Sequence, residues 1–456
     1  MNHKGGYEER VVHTVNSQIL LDGIQVCRNV KLMRVAVVTP VFLGGFGEFT
    51  HLKGALIGGA EVYLHTFIKE VLEEVASEIV VYQERGFSAR FSKKTSVKTV
   101  SSLKALKLDG FDLAIINKLE LASKLSRSQL SRVRSIAIHH GMSTPPALTL
   151  DALKTYYEHD HAFPLRGRKI RGAIRRFFGR RIEDLARVLF WAVKNLKKWK
   201  TAVMEVNRCS DLVDCVVSVD KDSLRYVHPS RRVKWRVIYN FVDLNLFKPS
   251  FRDDPSKEKR ILVPRNLTTY RGTFIIPKLA YLLKRWGYRD FKFLIAGSGH
   301  LRPFLERETE RLKVSEEVAL CGHQDHFRDM PRLYAESDIV LVPSLASEGT
   351  SLAVLEGMAS RKPVVTTDVG GIKDIGVNGI HKLSSPFNIK KIGRNIARLM
   401  EDEDLTERIS EAGYRYVRRN HNLQLWKERW QRIIDEMLLV EEQPLPVELI
   451  KVPLTI

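Results

Sequence analysis

The stretch Ile339-Val-Leu-Val-Pro-Ser-Leu-Ala-Ser-Glu-Gly-Thr-Ser-Leu-Ala-Val-Leu-Glu-Gly-Met-Ala359 holds one complete structural unit. Its first four residues are uninterrupted apolar positions, the pattern of a strand buried on both faces. Pro343 ends that strand, a loop follows, and a helix is predicted to begin near Thr350. Glu348 then lies in the loop before the helix and Glu356 about two turns into it. The amides of Gly349, Thr350, Ser351 and Leu352 become donors at a helix N-terminus, which is a natural site for an anion such as a diphosphate. Two carboxylates beside it suit ligand hydroxyls, because a carboxylate accepts strong charge-assisted hydrogen bonds from a vicinal diol. Taken alone the glutamate pair is a weak signal: Glu348 could simply cap the helix, and Glu356 could be an exposed helical residue.

Working outward, the same strand-then-helix alternation runs through most of the chain. Strands are predicted at 261–264, 291–296, 318–321 and 363–367 in the second half, and at 34–39, 78–82, 112–116, 135–139 and 215–219 in the first. A helix over Glu61–Val75 follows the first strand after a glycine-rich loop, 41–57, that suits a lid or an acceptor-binding segment. Such alternation implies parallel sheets with helical crossovers. The connector Val237–Pro249 and the polar run 250–259 mark a boundary between halves. The expected fold is α/β, with two Rossmann-like, doubly wound parallel-sheet domains over 33–240 and 241–420 facing across a cleft. Residues 1–32 read as an extension without period. In 421–456 a helix carries Trp426, Trp430, Ile433, Ile434 and Met437 on one stripe, expected to pack back on the first domain. Ligands of open parallel sheets bind outside the strands' carboxyl ends, so the chemistry is sought there.

Composition sets limits. The chain has 456 residues, 44% hydrophobic and 28% charged, which is the balance of a folded protein rather than a disordered one. Apolar runs stay far below the ~18 residues a membrane span requires, and no secretory signal is legible at the start. Cys27, Cys209, Cys215 and Cys321 form no ligand-spaced pair, so a reduced, cytoplasmic setting without structural zinc is expected. Net charge is +21, from 74 Lys and Arg against 53 Asp and Glu. Thirteen of those basic residues fall between Arg166 and Lys200, interleaved with Ile170, Ile174, Phe177, Phe178 and Trp191. A basic amphipathic helix with aromatics suits an anionic bilayer surface, here the inner face of the membrane; a plain solvated face is the blander reading. Nucleic acid is the weaker choice of anionic partner.

Other blocks carry a family resemblance. Leu333-Tyr-Ala-Glu-Ser-Asp-Ile-Val-Leu-Val-Pro-Ser344, the Glu348–Glu356 block and Met358-Ala-Ser-Arg-Lys-Pro-Val-Val-Thr-Thr-Asp-Val-Gly-Gly371 resemble consecutive motifs of the retaining family-4 glycosyltransferases of GT-B fold. The connector residues Ile238, Asn240, Val242, Asp243, Phe247 and Pro249 resemble that family's domain crossing. The resemblance covers about residues 33 to 440 and is densest from 237 to 380.

It implies transfer of a sugar from a nucleoside diphosphate sugar to a hydroxyl of a glycan, glycolipid or lipid-linked saccharide, with retained anomeric configuration. In that scheme Glu348 contacts sugar hydroxyls and Glu356 the ribose. Arg265 and Arg271 neutralise the leaving diphosphate, although the family has Lys at the second place. Gly58 and Gly59 open the first helix against the donor phosphates. His140 faces the reacting sugar, with His139 as the alternative. Thr350-Ser351 stands where the family has Phe-Gly, beside the transferred sugar. The Asp-x-Asp runs at 220–222 and 402–404 match no metal motif, so no metal and no cofactor beyond the donor are expected. The departing phosphate would act as base, and the cleft would close about 240–250. The rival readings are a nucleic-acid-binding or nucleic-acid-modifying protein, and a GT-B epimerase.

Overall fold

The computed structural model describes residues 20–21, 24–25, 33–42, 59–141, 197, 199–227, 233–250, 258–346 and 348–438. Gly58, most of the 41–57 loop and nearly all of the basic segment 166–200 lie outside the described residues.

The first domain is an eight-stranded sheet. Its strands are β1 (Met33–Val41), β2 (Ala76–Arg85), β3 (Ala89–Arg90), β4 (Thr95–Thr99), β5 (Leu113–Ile116), β6 (Arg134–His139), β7 (Cys215–Ser218) and β8 (Lys234–Val237). They lie in the order β8-β7-β6-β5-β1-β2-β4-β3, and every pair is parallel except β3 with β4. Val35 to Val38 of the central β1 are wholly buried, as expected of a parallel strand covered on both faces. Strands β4 and β8 were not foreseen in the sequence. Both carry lysine and lie toward the sheet margins; Thr95–Thr99 is buried only at Thr95 and Val97, and no residue of Lys234–Val237 is fully buried, so they lack the continuous apolar run that marks the others.

Helix α1 (Gly59–Phe67) follows β1 and passes through one π turn, Ile68–Leu72, before ending at Val75. The π turn keeps Phe67, Ile68, Val71 and Leu72 all on the buried side.

The second domain is a six-stranded, all-parallel sheet of β9 (Lys259–Pro264), β10 (Phe291–Ala296), β11 (Val318–Gly322), β12 (Ile339–Val342), β13 (Val364–Thr367) and β14 (Leu383–Ser385). The order is β11-β10-β9-β12-β13-β14. Its helices are α2 (Ile276–Arg285), α3 (Arg302–Leu312), α4 (Asp329–Ala335), α5 (Leu352–Ala359), α6 (Ile389–Glu401) and α7 (Glu403–Asn420). In α2, Ile276, Leu279, Ala280 and Leu283 repeat at helical spacing and are all buried against the sheet.

The last helix, α8 (Leu423–Leu438), returns to the first domain. Trp426 and Trp430 pack with Tyr63, Phe67 and Phe241, and Trp430 Nε1 donates to Tyr63 Oη at 2.9 Å. Lys427 adds ion pairs to Glu70 and Glu74 of the α1 segment. Full burial of one such aromatic is worth about 2–3 kcal/mol, so α8 belongs energetically to the first core. The chain therefore crosses between domains twice, and the crossings touch. Val242 N donates to the His421 carbonyl at 2.7 Å, and His421 Nδ1 lies 2.9 Å from the Asn240 carbonyl.

Candidate active site between the two domains

Sheet order decides which loops can meet. From β9 the chain winds outward to β10, and from β12 it winds the other way to β13, so the carboxyl ends of β9 and β12 flank a switch point. Arg265 directly follows β9, and the 343–351 loop follows β12.

Glu348 is 5% exposed and its Oε1 is a triple acceptor: from Arg265 Nη2 at 2.9 Å, from Ser344 Oγ at 2.7 Å, and from Arg271 Nη1. Arg265 Nη2 also reaches Ser351 Oγ at 3.1 Å. Burial alone pushes the Glu348 carboxyl up, but the two guanidiniums and Ser344 outweigh it and hold it below the usual carboxylate range. Gly272, at φ 72°, makes this approach possible: a Cβ there would stand 1.8 Å from the Pro343 carbonyl oxygen, so only glycine lets the Arg271 turn lie against the 343–351 loop.

Helix α5 starts at Leu352, two residues later than the sequence suggested, because Ser351 is its N-cap. That serine makes no cap bond and faces Arg265 instead, which leaves the first-turn amides without a side-chain cap. Glu356 is no exposed helical residue. It is 6% exposed, its Oε2 accepts from Tyr334 Oη at 2.7 Å, and its Oε1 lies 3.9 Å from His326 Nδ1.

The first-domain wall is built on the same topological logic but of neutral parts. The ends of β1 and β5 flank its switch point, and α1 follows β1. A Cβ on Gly59, the first residue of α1, would lie 3.5 Å from Leu352 Cδ1, so the N-termini of α1 and α5 face each other across the cleft. Asn117, after β5, donates through Nδ2 to Thr39 Oγ1 at 3.2 Å, and its Oδ1 lies 3.0 Å from His140 Nε2. With Oδ1 as the acceptor, His140 carries its proton on Nε2 and leaves Nδ1 as an acceptor. Burial, then Lys118 and His139, push the His140 pKa down to about 3, so the imidazole is neutral near pH 7. The neighbouring His139 is 1% exposed and packs toward Trp235 inside the domain, so of the two it is His140 that lines the cleft. The cleft encloses about 270 Å³, walled by Gly59, His140, Arg265, Arg271, Glu348 and Glu356 among others.

This two-sheet arrangement matches known structures along nearly their whole length. The Anabaena protein HepE in complex with UDP-glucose aligns with a TM-score of 0.62 at 16% identity, covering 89% of this chain and 100% of that one. The fold is GT-B. Within the GT-B chain, residues 248–416 match the family model for glycosyl transferases group 1. An uncharacterized glycosyltransferase of Methanocaldococcus jannaschii is 33% identical over 191 residues, 39% of this chain and 47% of that protein. The alpha-D-kanosaminyltransferase of Streptomyces kanamyceticus is 32% identical over 154 residues, 33% of this chain and 39% of the relative. The chain thus spans less than half the length of these two relatives.

Several site residues of the GT-B cleft escaped the sequence reading. Tyr334 and Ser344 sat inside quoted motifs, yet nothing local assigned them to Glu356 and Glu348. Asn117 carries no signal beyond its place after a strand. Of the two Asp-x-Asp runs, Asp402 caps α7 by accepting from Leu405 N at 2.8 Å, while Asp220 and Asp222 are buried at the domain joint. Among the described residues, no three His, Cys, Asp or Glu side chains gather as a metal site, and no helix is long and apolar enough to cross a membrane.

Proposed function

We propose that the chain is a retaining family-4 glycosyltransferase that moves a sugar from a nucleoside diphosphate sugar to a hydroxyl acceptor. The observation that carries this reading is the convergence on one cleft of two helix N-termini, two arginines and two buried glutamates, with the arginines, the glutamates and one of the helix starts inside the segment matching glycosyl transferases group 1. Helix-end amides and guanidiniums are aimed where a diphosphate gains charge as its bond to sugar C1 breaks. Arg265 and Arg271 supply cationic charge in the place a divalent ion would otherwise take, so the reaction proceeds without metal. Glu356, ordered by Tyr334, accepts from the ribose hydroxyls. Glu348 and the neutral His140 accept from hydroxyls of the transferred sugar. The acceptor oxygen attacks C1 on the face the diphosphate leaves, and the acceptor proton passes to the departing phosphate oxygen.

The HepE complex makes UDP-glucose the first donor to try. A glycan or lipid-linked acceptor, reached from the cytoplasmic face of a membrane through the basic segment 166–200, completes the reading. Thermal unfolding against UDP, GDP, ADP and their sugars identifies the base, since a ligand bound only by the folded state raises the midpoint. NMR of the product from the active donor then reports its anomeric configuration, with EDTA present to test metal independence. Inverted product, activity abolished by EDTA, or no midpoint shift with any nucleotide would each overturn the corresponding part.

A further inference from the structure

Thr350 was expected beside the donor sugar, but its side chain is committed elsewhere. It is 1% exposed and its Oγ1 donates to the carbonyl of Val219, which follows β7 in the first domain. Its own carbonyl accepts from Asn240 Nδ2 on the connector. Around it the two domains meet backbone to backbone. A Cβ on Gly141 would stand 2.9 Å from Gly349 N, one on Gly349 would stand 2.9 Å from the His140 carbonyl oxygen, and one on Gly371 would stand 2.6 Å from Asp220 Cβ. A second bond to first-domain main chain, Lys221 N to Asp374 Oδ2 at 2.8 Å, lies at the exposed edge of this joint, whereas the Thr350 bond is buried.

Thr350 also sits between the two residues that build the charged wall: Glu348 lies two positions before it, and Ser351, bonded to Arg265, directly after. We propose that Thr350 is a positioning residue, an interdomain latch whose hydroxyl, held by the Val219 carbonyl, fixes the angle at which the Glu348–Leu352 arc faces His140. A hydroxyl spent on Val219 is turned away from the donor, so this position governs closure rather than the choice of sugar. The kinetic half of the argument rests on the proposed glycosyl transfer; the conformational half does not.

The test places one label in each domain, at the exposed Lys98 and Lys391, through an unnatural amino acid, and reads the interdomain distance distribution by single-molecule energy transfer. Thr350→Val keeps the shape and removes the donor; Thr350→Ser keeps the donor. One neutral hydrogen bond is worth about 1 kcal/mol, or about fivefold in an equilibrium. The closed-to-open ratio is therefore expected to fall about fivefold in Thr350→Val and to stay within about twofold of wild type in Thr350→Ser. In the transfer assay kcat falls by a similar factor while UDP affinity changes less than about twofold. Unchanged distances in Thr350→Val, equal losses in the Val and Ser variants, or a loss of UDP affinity without a change in distance would each overturn the latch. If Thr350→Val does not fold, Asn240→Ala removes the neighbouring bond to the Thr350 carbonyl, loosens the same residue from the connector side and carries the same expectation. Distances that shift in a protein inactive toward every donor sustain the latch and sink the proposed function instead.

Discussion

The second-domain wall of the cleft holds charge that is already paired, whereas the first-domain wall presents groups that carry none. On one side Arg265 and Arg271 share Glu348 through an oxygen that accepts three hydrogen bonds, a cluster that keeps one net positive charge, and Glu356 leans on Tyr334. On the other, a neutral histidine rests on an asparagine, next to a helix that starts at a glycine. Buried charges must be partnered or they destabilise the fold, so the charged wall is a stability element as well as a binding one. The neutral wall can lose a side chain without leaving an orphaned charge. The two walls should therefore fail differently when mutated.

The largest effect is expected for Glu348→Ala. It strands Arg265, which is 9% exposed, beside Arg271 with no carboxylate, and should cost about 3–5 kcal/mol of stability. Transfer activity should fall about 10²–10³-fold. Urea unfolding measures the first quantity, and a midpoint unchanged from wild type would erase the contrast between the walls.

His140→Ala probes the opposite wall. Activity should drop about 100-fold, with stability altered by under about 1 kcal/mol. Because the wild-type imidazole titrates at about 3, no limb of the pH–rate profile between pH 5.5 and 8 should belong to it. A limb near pH 6.5 that vanishes in the variant would show that His140 works as a charged acid instead.

Asp220 tests the joint between the walls. Burial pushes its carboxyl up to about 6, Oδ1 accepts from Ser223 N, and Oδ2 finds no hydrogen-bond partner among the described residues. The folded state thus holds a proton that the unfolded chain releases between pH 4 and 6, so stability falls as pH rises through that window. Asp220→Asn removes the penalty and should stabilise the protein by about 1–3 kcal/mol at pH 7.5 but hardly at all at pH 4. Equal shifts in Tm at both pH values would rule out the ionisation as the cause. Smallest of the four, Tyr334→Phe takes the hydroxyl from Glu356 and should weaken UDP binding about fivefold, a loss of about 1 kcal/mol, read by calorimetry.

Much of the frame was legible from the chain. The continuous apolar runs at 35–38, 261–264 and 339–342 mark doubly covered strands, because parallel sheets bury both faces and leave no polar alternation. Short, lysine-bearing strands near the sheet margins, such as Thr95–Thr99, gave no such mark. At the site, Glu348 and Glu356 were readable as a pair beside a helix start, since the spacing is local. Their partners were not: Arg265 lies 83 residues before Glu348, and Tyr334 lies 22 residues before Glu356.

What the sequence determined by itself is what local physics can set: strands by unbroken apolar runs, helix starts by their flanking residues, and the arginines, glutamates and glycines available to a cleft. The tertiary structure decided what those residues do to one another. Sheet order brought the ends of β9 and β12 side by side, so that two arginines meet one carboxylate. Domain packing turned Thr350 away from the cleft to Val219. Contacts of that kind depend on the path of the chain through space, and no spacing along the sequence records it.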